Sequence, residues 1–184
     1  MGFLMNFWYP DNSKLSAFID LECEQKNNIL TQTVRVISLI MMVICIVCFS
    51  CFPLTSIPIF VSNWPVFTVA GHVILTLKLS HQKNSKHHQH QLAAAHFLFT
   101  FTVILNLTIM PIYWSLLHEL ALIKFAGNTC QINQLYFVHI FPTIAMVLLW
   151  FATDIRLDSS HGLKLSPIAL FYCFINFVAT KVRG

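Results

Sequence analysis

Apolar residues along this chain come in blocks rather than in the alternating or 3.6-residue patterns of a half-buried strand or surface helix. A helix needs about 20 mainly apolar residues to cross the hydrocarbon core of a bilayer. Five blocks approach that length. The first runs from Val34 to Phe52 and stops at Pro53, which cannot continue a helix. The second runs from Trp64 or Pro65 to Leu79; its core is short, with Ile57–Val61 as an extension bent by Pro58 and Pro65. The third, Leu92 to His118, is long enough to tilt and carries Pro111, which predicts a kink. The fourth and fifth run from Leu135 to Thr153 and from Leu165 to Thr180. The pattern predicts an all-α, polytopic membrane helical bundle of about five transmembrane helices, occupying residues 34–184. Residues 1–33 read as a separate N-terminal segment. Phe3, Phe7, Trp8 and Tyr9 suit an interfacial position, and Asp11, Asp20, Glu22 and Glu24 oppose a signal peptide.

Composition sharpens this picture. The 184 residues are 57% hydrophobic and only 10% charged, where a soluble domain carries about a quarter charged residues. A soluble single domain is thereby excluded, and mean hydropathy is +0.69. Five glycines and the absence of alternating strands argue against a membrane β-barrel. The net charge of +4 is scattered between the apolar blocks, so nucleic acid is not an expected partner. The basic residues instead sort by side. Lys14, Lys26, Arg35, Lys78, Lys83, Lys86, Arg156 and Lys164 fall on the N-terminal side, leaving Lys124, Lys181 and Arg183 opposite. This bias places the N-terminus in the cytosol, or in the matrix if the membrane is mitochondrial. The loops at 53–63 and 119–134 then face the other compartment.

Ionisable groups inside a bilayer are costly and mark candidate function. Thr68 and His72 lie one turn apart near the start of the second block. His118 and Glu119 end the third, and His139 lies one turn into the fourth. The topology puts all five in one leaflet, about 5–10 Å below the headgroups at 1.5 Å rise per residue. His96 and Asp154 belong to the opposite leaflet. A hydroxyl beside an imidazole is the minimum for nucleophilic acyl transfer, with Thr68 as nucleophile and His139, or else His72, as base. The blander reading is that Thr68 bonds a carbonyl one turn earlier and the histidine bonds a neighbouring helix.

Other features point away from chemistry. The stretch His81–His90 lacks the spacing of a closed zinc site and reads as a solvated loop near anionic headgroups, so neither a metal nor another cofactor is expected. Cys45, Cys48 and Cys51 recur every third residue and read as helix-packing core. The six cysteines, with Cys130 as a loop thiol, do not suggest a disulfide framework. Asn106-Leu107-Thr108 fits a glycosylation sequon but lies mid-span.

Three short segments carry a resemblance. Asn63-Trp64-Pro65-Val66-Phe67-Thr68 resembles the nucleophile region of the androgen-induced-protein family, multi-span threonine hydrolases of fatty-acid esters of hydroxy fatty acids. Tyr113-Trp114-Ser115-Leu116-Leu117-His118 resembles the aromatic end of that family's third span, and Asn133–His139 the start of its fourth. The resemblance covers residues 34–181. It implies Thr68 as nucleophile, His139 as base, and His72, Trp114, His118 and Asn133 around a lipid ester substrate entering from the bilayer. Two departures stand beside it. The chain stops at Lys181-Val182-Arg183-Gly184 before the family's sixth span, and Tyr136 with His139 replaces the usual two-histidine cluster. They motivate the alternative of a catalytically degenerate accessory subunit packed against other membrane proteins, as in a complex of the mitochondrial inner membrane. A small channel or transporter is a weaker third reading, since charged residues lining a continuous path are lacking.

Overall fold

A computed structural model describes residues 28–51, 63–81, 86–153, 157, 161–163, 165–167 and 170. The N-terminal aromatic segment, nearly all of the first loop, the centre of the histidine-rich stretch, Asp154 and most of the fifth block lie outside the described residues. Those described form helices and turns: α1 (Ile29–Cys48) with a 3-10 turn at Phe49–Cys51, α2 (Trp64–His81), α3 (Lys86–Ile112) with a π-helical turn at Tyr113–Leu117, α4 (His118–Lys124) and α5 (Thr129–Thr153). Among the described residues, three stretches are long and apolar enough to cross a membrane: Ile29–Cys48, His90–Lys124 and Thr129–Thr153. Trp64–Ser80 is an apolar helix of shorter span.

Helix boundaries differ from those expected because capping outweighs polarity. The first helix starts at Ile29, not Val34, since Asn28 Oδ1 accepts from Leu30 N at 3.0 Å and closes the first turn. The fourth starts at Thr129, not Leu135. Gly127 takes a left-handed φ of 84° at the end of α4, and Asn128 Oδ1 accepts from Gln131 N at 3.1 Å to begin α5. The expected loop at 119–134 is thus mostly helix. The third block also continues past His118 to Lys124 through the π-helical turn. Pro111 has no N–H to donate, and the wider turn that follows accommodates the break.

α1 and α5 run antiparallel, with Thr31 Oγ1 donating to Ala152 O at 2.8 Å and Cys45 Sγ to Phe137 O at 3.4 Å. α2 and α3 form a second antiparallel pair whose close approach depends on small residues. A Cβ at Gly71 would meet Leu98 Cδ1 at 3.0 Å, and Ala93 and Ala95 are buried. Met42, Cys45, Val66, Val73, Phe99, Val103, Val138 and Leu149 build the common core.

The surface is inverted relative to a soluble protein. Ile40, Val43, Val47, Phe67, Ile74, Leu107, Val147 and Phe151 point outward, while Thr31, Arg35, Ser38, His72, Thr76, Thr102, Asn106, Gln134 and His139 are buried. Hydrocarbon outside and polar side chains inside is the arrangement a bilayer selects.

Cysteine usage corrects one expectation. Cys45 and Cys48 are free, with Cys45 in the core, but Cys130 is disulfide-bonded. The sequence places it next to polar residues in what looks like an open loop, and spacing alone does not reveal a pairing.

Candidate functional site

Thr68 meets α3 at Thr102, whereas His139 meets it at Tyr113 beside the π-helical turn, eleven residues further along and about 16 Å away at 1.5 Å per residue. Thr68 sits one turn into α2. Its hydroxyl lies 3.1 Å from Trp64 O and 3.2 Å from Pro65 O, and accepts from Thr102 Oγ1 on α3 at 2.5 Å. A carbonyl only accepts, so the Thr68 proton points back along its own helix and the proton between the two hydroxyls is that of Thr102. Leu98 O, 2.8 Å away, competes for it. Thr102 is wholly buried and Thr68 half-buried.

One turn beyond Thr102, Asn106 continues the polar line. Its Nδ2 donates to Thr102 O at 3.1 Å, and its Oδ1 accepts from Thr143 Oγ1 of α5 at 3.0 Å. Thr143 Oγ1 also lies 3.0 Å from His139 O. Side chains from three helices are therefore linked from Thr68 to the backbone of the histidine.

His139 is buried and lies nearly three turns past Thr129 rather than one turn into its helix. Its Nδ1 is 2.6 Å from Leu135 O. The carbonyl requires the proton on Nδ1, which leaves Nε2 as a bare acceptor with no hydrogen bond among the described residues. Tyr113 stacks on the imidazole, centroids 3.4 Å apart at 11°. The π-helical turn makes this possible, because widening the helix after Pro111 brings Tyr113, Trp114 and His118 to one side. Trp114 packs on His118 at 4.6 Å, Tyr113 edges it at 5.6 Å and Tyr136 at 5.4 Å. His118 has long contacts to the two phenols, 3.4 Å from Nδ1 to Tyr113 and 3.5 Å from Nε2 to Tyr136.

The remaining candidates separate. His72 is buried on α2, its Nδ1 2.8 Å from Ala95 O and its ring 5.2 Å from Phe99. Its Nε2 is buried without a hydrogen-bond partner among the described residues. Asn133 is exposed at the start of α5 and makes no hydrogen bond to the cluster. His96 stands apart, against His161 at 5.2 Å. Among the described residues no hydrogen bond joins Thr68 to His139 or to His72, and no group of three or more His, Cys, Asp or Glu is arranged to hold a metal ion.

Thr102, Asn106, Thr143 and Tyr113 are the residues that sequence reasoning missed as parts of this site. Thr102 and Asn106 share the four-residue spacing of one helix face, a signal that indicates a polar stripe without revealing what it meets. No protein-family model, no curated protein and no solved structure matches this chain.

Proposed function

We propose that the protein is an integral membrane hydrolase of lipid esters, with Thr68 as nucleophile and His139 as base. The observation that carries this reading is the tautomer of His139. Leu135 O holds its Nδ1–H, so the lone pair on Nε2 is available at a site shielded from water. In a serine-type triad a carboxylate gives the histidine the same orientation. The motifs around Trp64–Thr68, Tyr113–His118 and Asn133–His139 supply the substrate class, fatty-acid esters of hydroxy fatty acids. In this reading α2 and α5 close on each other before the chemistry, because at rest Thr68 and His139 meet α3 about 16 Å apart. Thr68 Oγ then attacks the ester carbonyl while its proton passes to His139 Nε2. Collapse of the tetrahedral adduct breaks the bond to the leaving alkoxide, which takes that proton, and water then cleaves the acyl-threonine by the reverse exchange. Trp114, His118 and the aromatic rings beside them line the approach of the acyl chains, and His72 is the alternative base. The bias of the basic residues supports an N-terminus on the cytosolic or matrix side.

Release of fatty acid from a hydroxy-fatty-acid ester by membranes containing the full chain tests this reading. Thr68→Ala and His139→Ala are expected to fall to background at equal protein level, and Thr68→Ser to keep part of the activity. Full activity in either alanine variant overturns the assignment.

A second reading, a degenerate accessory subunit of a larger membrane assembly, is favoured by one observation: the Thr68 hydroxyl is already engaged by Trp64 O, Pro65 O and Thr102. It predicts no ester cleavage by the wild-type chain and co-purification with other membrane subunits in mild detergent.

A further inference from the structure

Cys130 is disulfide-bonded while Cys45 and Cys48 are free, which leaves Cys23, Cys51 and Cys173 as partners. Reach decides between them. α1 and α5 are antiparallel, with Cys45 on Phe137 O and Thr31 on Ala152 O. From the first of these contacts, α1 advances about 9 Å to Cys51 and α5 runs back about 10 Å to Cys130, at 1.5 Å per residue. The main chain of both therefore arrives at the same end of the bundle, and the 3-10 turn ending at Cys51 packs on α5.

The other two fall short. Cys23 precedes Ile29, which is level with the far end of α5, about 35 Å from Cys130; the intervening residues reach at most about 21 Å when extended. Leu165 packs against Ala93 on α3. Ala93 and Cys130 lie on opposite sides of the Asn106–Thr143 contact, about 39 Å apart along the axis. The chain from Leu165 to Cys173 spans at most about 28 Å.

We propose that Cys51 and Cys130 form the disulfide, and that it marks the end of the bundle facing an oxidising compartment. Its formation passes two electrons and two protons from the two thiols to a donor protein disulfide of that compartment, through a mixed disulfide. Such bonds persist in an oxidising lumen or outside the cell and are reduced in the cytosol. The Ile29 end then faces the reducing side. Charge sorting gives the same orientation from different residues, and the pairing does not depend on the hydrolase reading.

Free thiols are alkylated in intact membranes containing the full chain, which is then digested without reductant and analysed by mass spectrometry. A peptide with Cys51 linked to Cys130 is expected; Cys130 alkylated, or linked to another cysteine, overturns the pairing. For the compartment, a membrane-impermeant maleimide is applied to cells carrying Lys78→Cys or Lys124→Cys, two exposed positions at opposite ends, and the modified peptide is read directly. With only the plasma membrane opened, the thiol at 78 is expected to react and that at 124 to stay protected until internal membranes are dissolved. If the bundle sits in the plasma membrane, the thiol at 124 reacts on unopened cells and that at 78 does not. Reaction at 124 that requires only plasma-membrane opening overturns the assignment, whatever the esterase activity.

Discussion

Thr102 donates its hydroxyl to Thr68 across 2.5 Å, joining the helix of the proposed nucleophile to the helix that crosses the centre of the site. Thr102→Val keeps the shape and removes the donor. One hydrogen bond of about 1.4 kcal/mol corresponds to a tenfold change in rate. Hydrolysis measured in membranes is therefore expected to fall about tenfold in kcat, with Thr102→Ser near wild type. An unchanged rate in Thr102→Val shows that Thr102 does not position the nucleophile.

Tyr113 touches His139 through its ring face and His118 through its phenol. The two contacts separate by substitution. Tyr113→Phe preserves the stack and is expected to retain activity within about threefold, because a 3.4 Å contact contributes little. Tyr113→Leu removes the flat partner and is expected to lower kcat by about tenfold, since aromatic pairing contributes about 0.5–1.5 kcal/mol beyond area burial. Equal losses in both variants place the effect in the phenol instead.

Asn106 ties α3 to α5 through Thr143. Interhelical hydrogen bonds of this kind contribute about 0.6 kcal/mol on average within a membrane and up to about 1.7 kcal/mol. Asn106→Leu leaves Thr143 bonded to His139 O, so no hydroxyl is orphaned. The melting temperature in detergent is expected to drop by about 3 °C, at about 2–4 °C per kcal/mol for a chain of this size. A rise in Tm contradicts a stabilising bridge.

Gly127 sits at φ 84°, with nothing within 4 Å of where a Cβ would point. The cost of Gly127→Ala is therefore conformational rather than steric, about 1 kcal/mol. Gly127→Asn is expected to cost less, because asparagine tolerates the left-handed region. Thermal unfolding of the two variants side by side measures the difference, and identical Tm values refute it.

How much of this was legible in the sequence depends on which force sets each feature. The start of α2 at Trp64 and the place of Thr68 one turn inside it follow directly from the Trp64-Pro65 opening and the apolar run. The depth of His139 does not. Thr129, Gln131, Asn133 and Gln134 look like a loop, yet Asn128 caps them into α5 and the histidine moves two turns deeper. Thr68 bonding its own Trp64 O is the ordinary behaviour of a membrane threonine and was legible as such. Its second bond, to Thr102, depends on the register between two helices, which one-dimensional spacing does not contain. Cys130 was obscured for the same reason.

The π-helical turn at Tyr113–Leu117 amounts to one residue more than an α-helix would need there. Removing one residue from Ser115–Leu117 would let the turn close in α form while the helix beyond it keeps its bearing, because a π turn holds its extra residue without passing it on. A deletion between Glu119 and Lys124, where the helix has no extra residue to give up, would instead swing all that follows by about 100° and bring its loop-facing end to a different side of α5. The turn is thus a reserve of one residue beside the aromatic cluster, and a single-codon deletion there is absorbed where the same deletion one turn later is not.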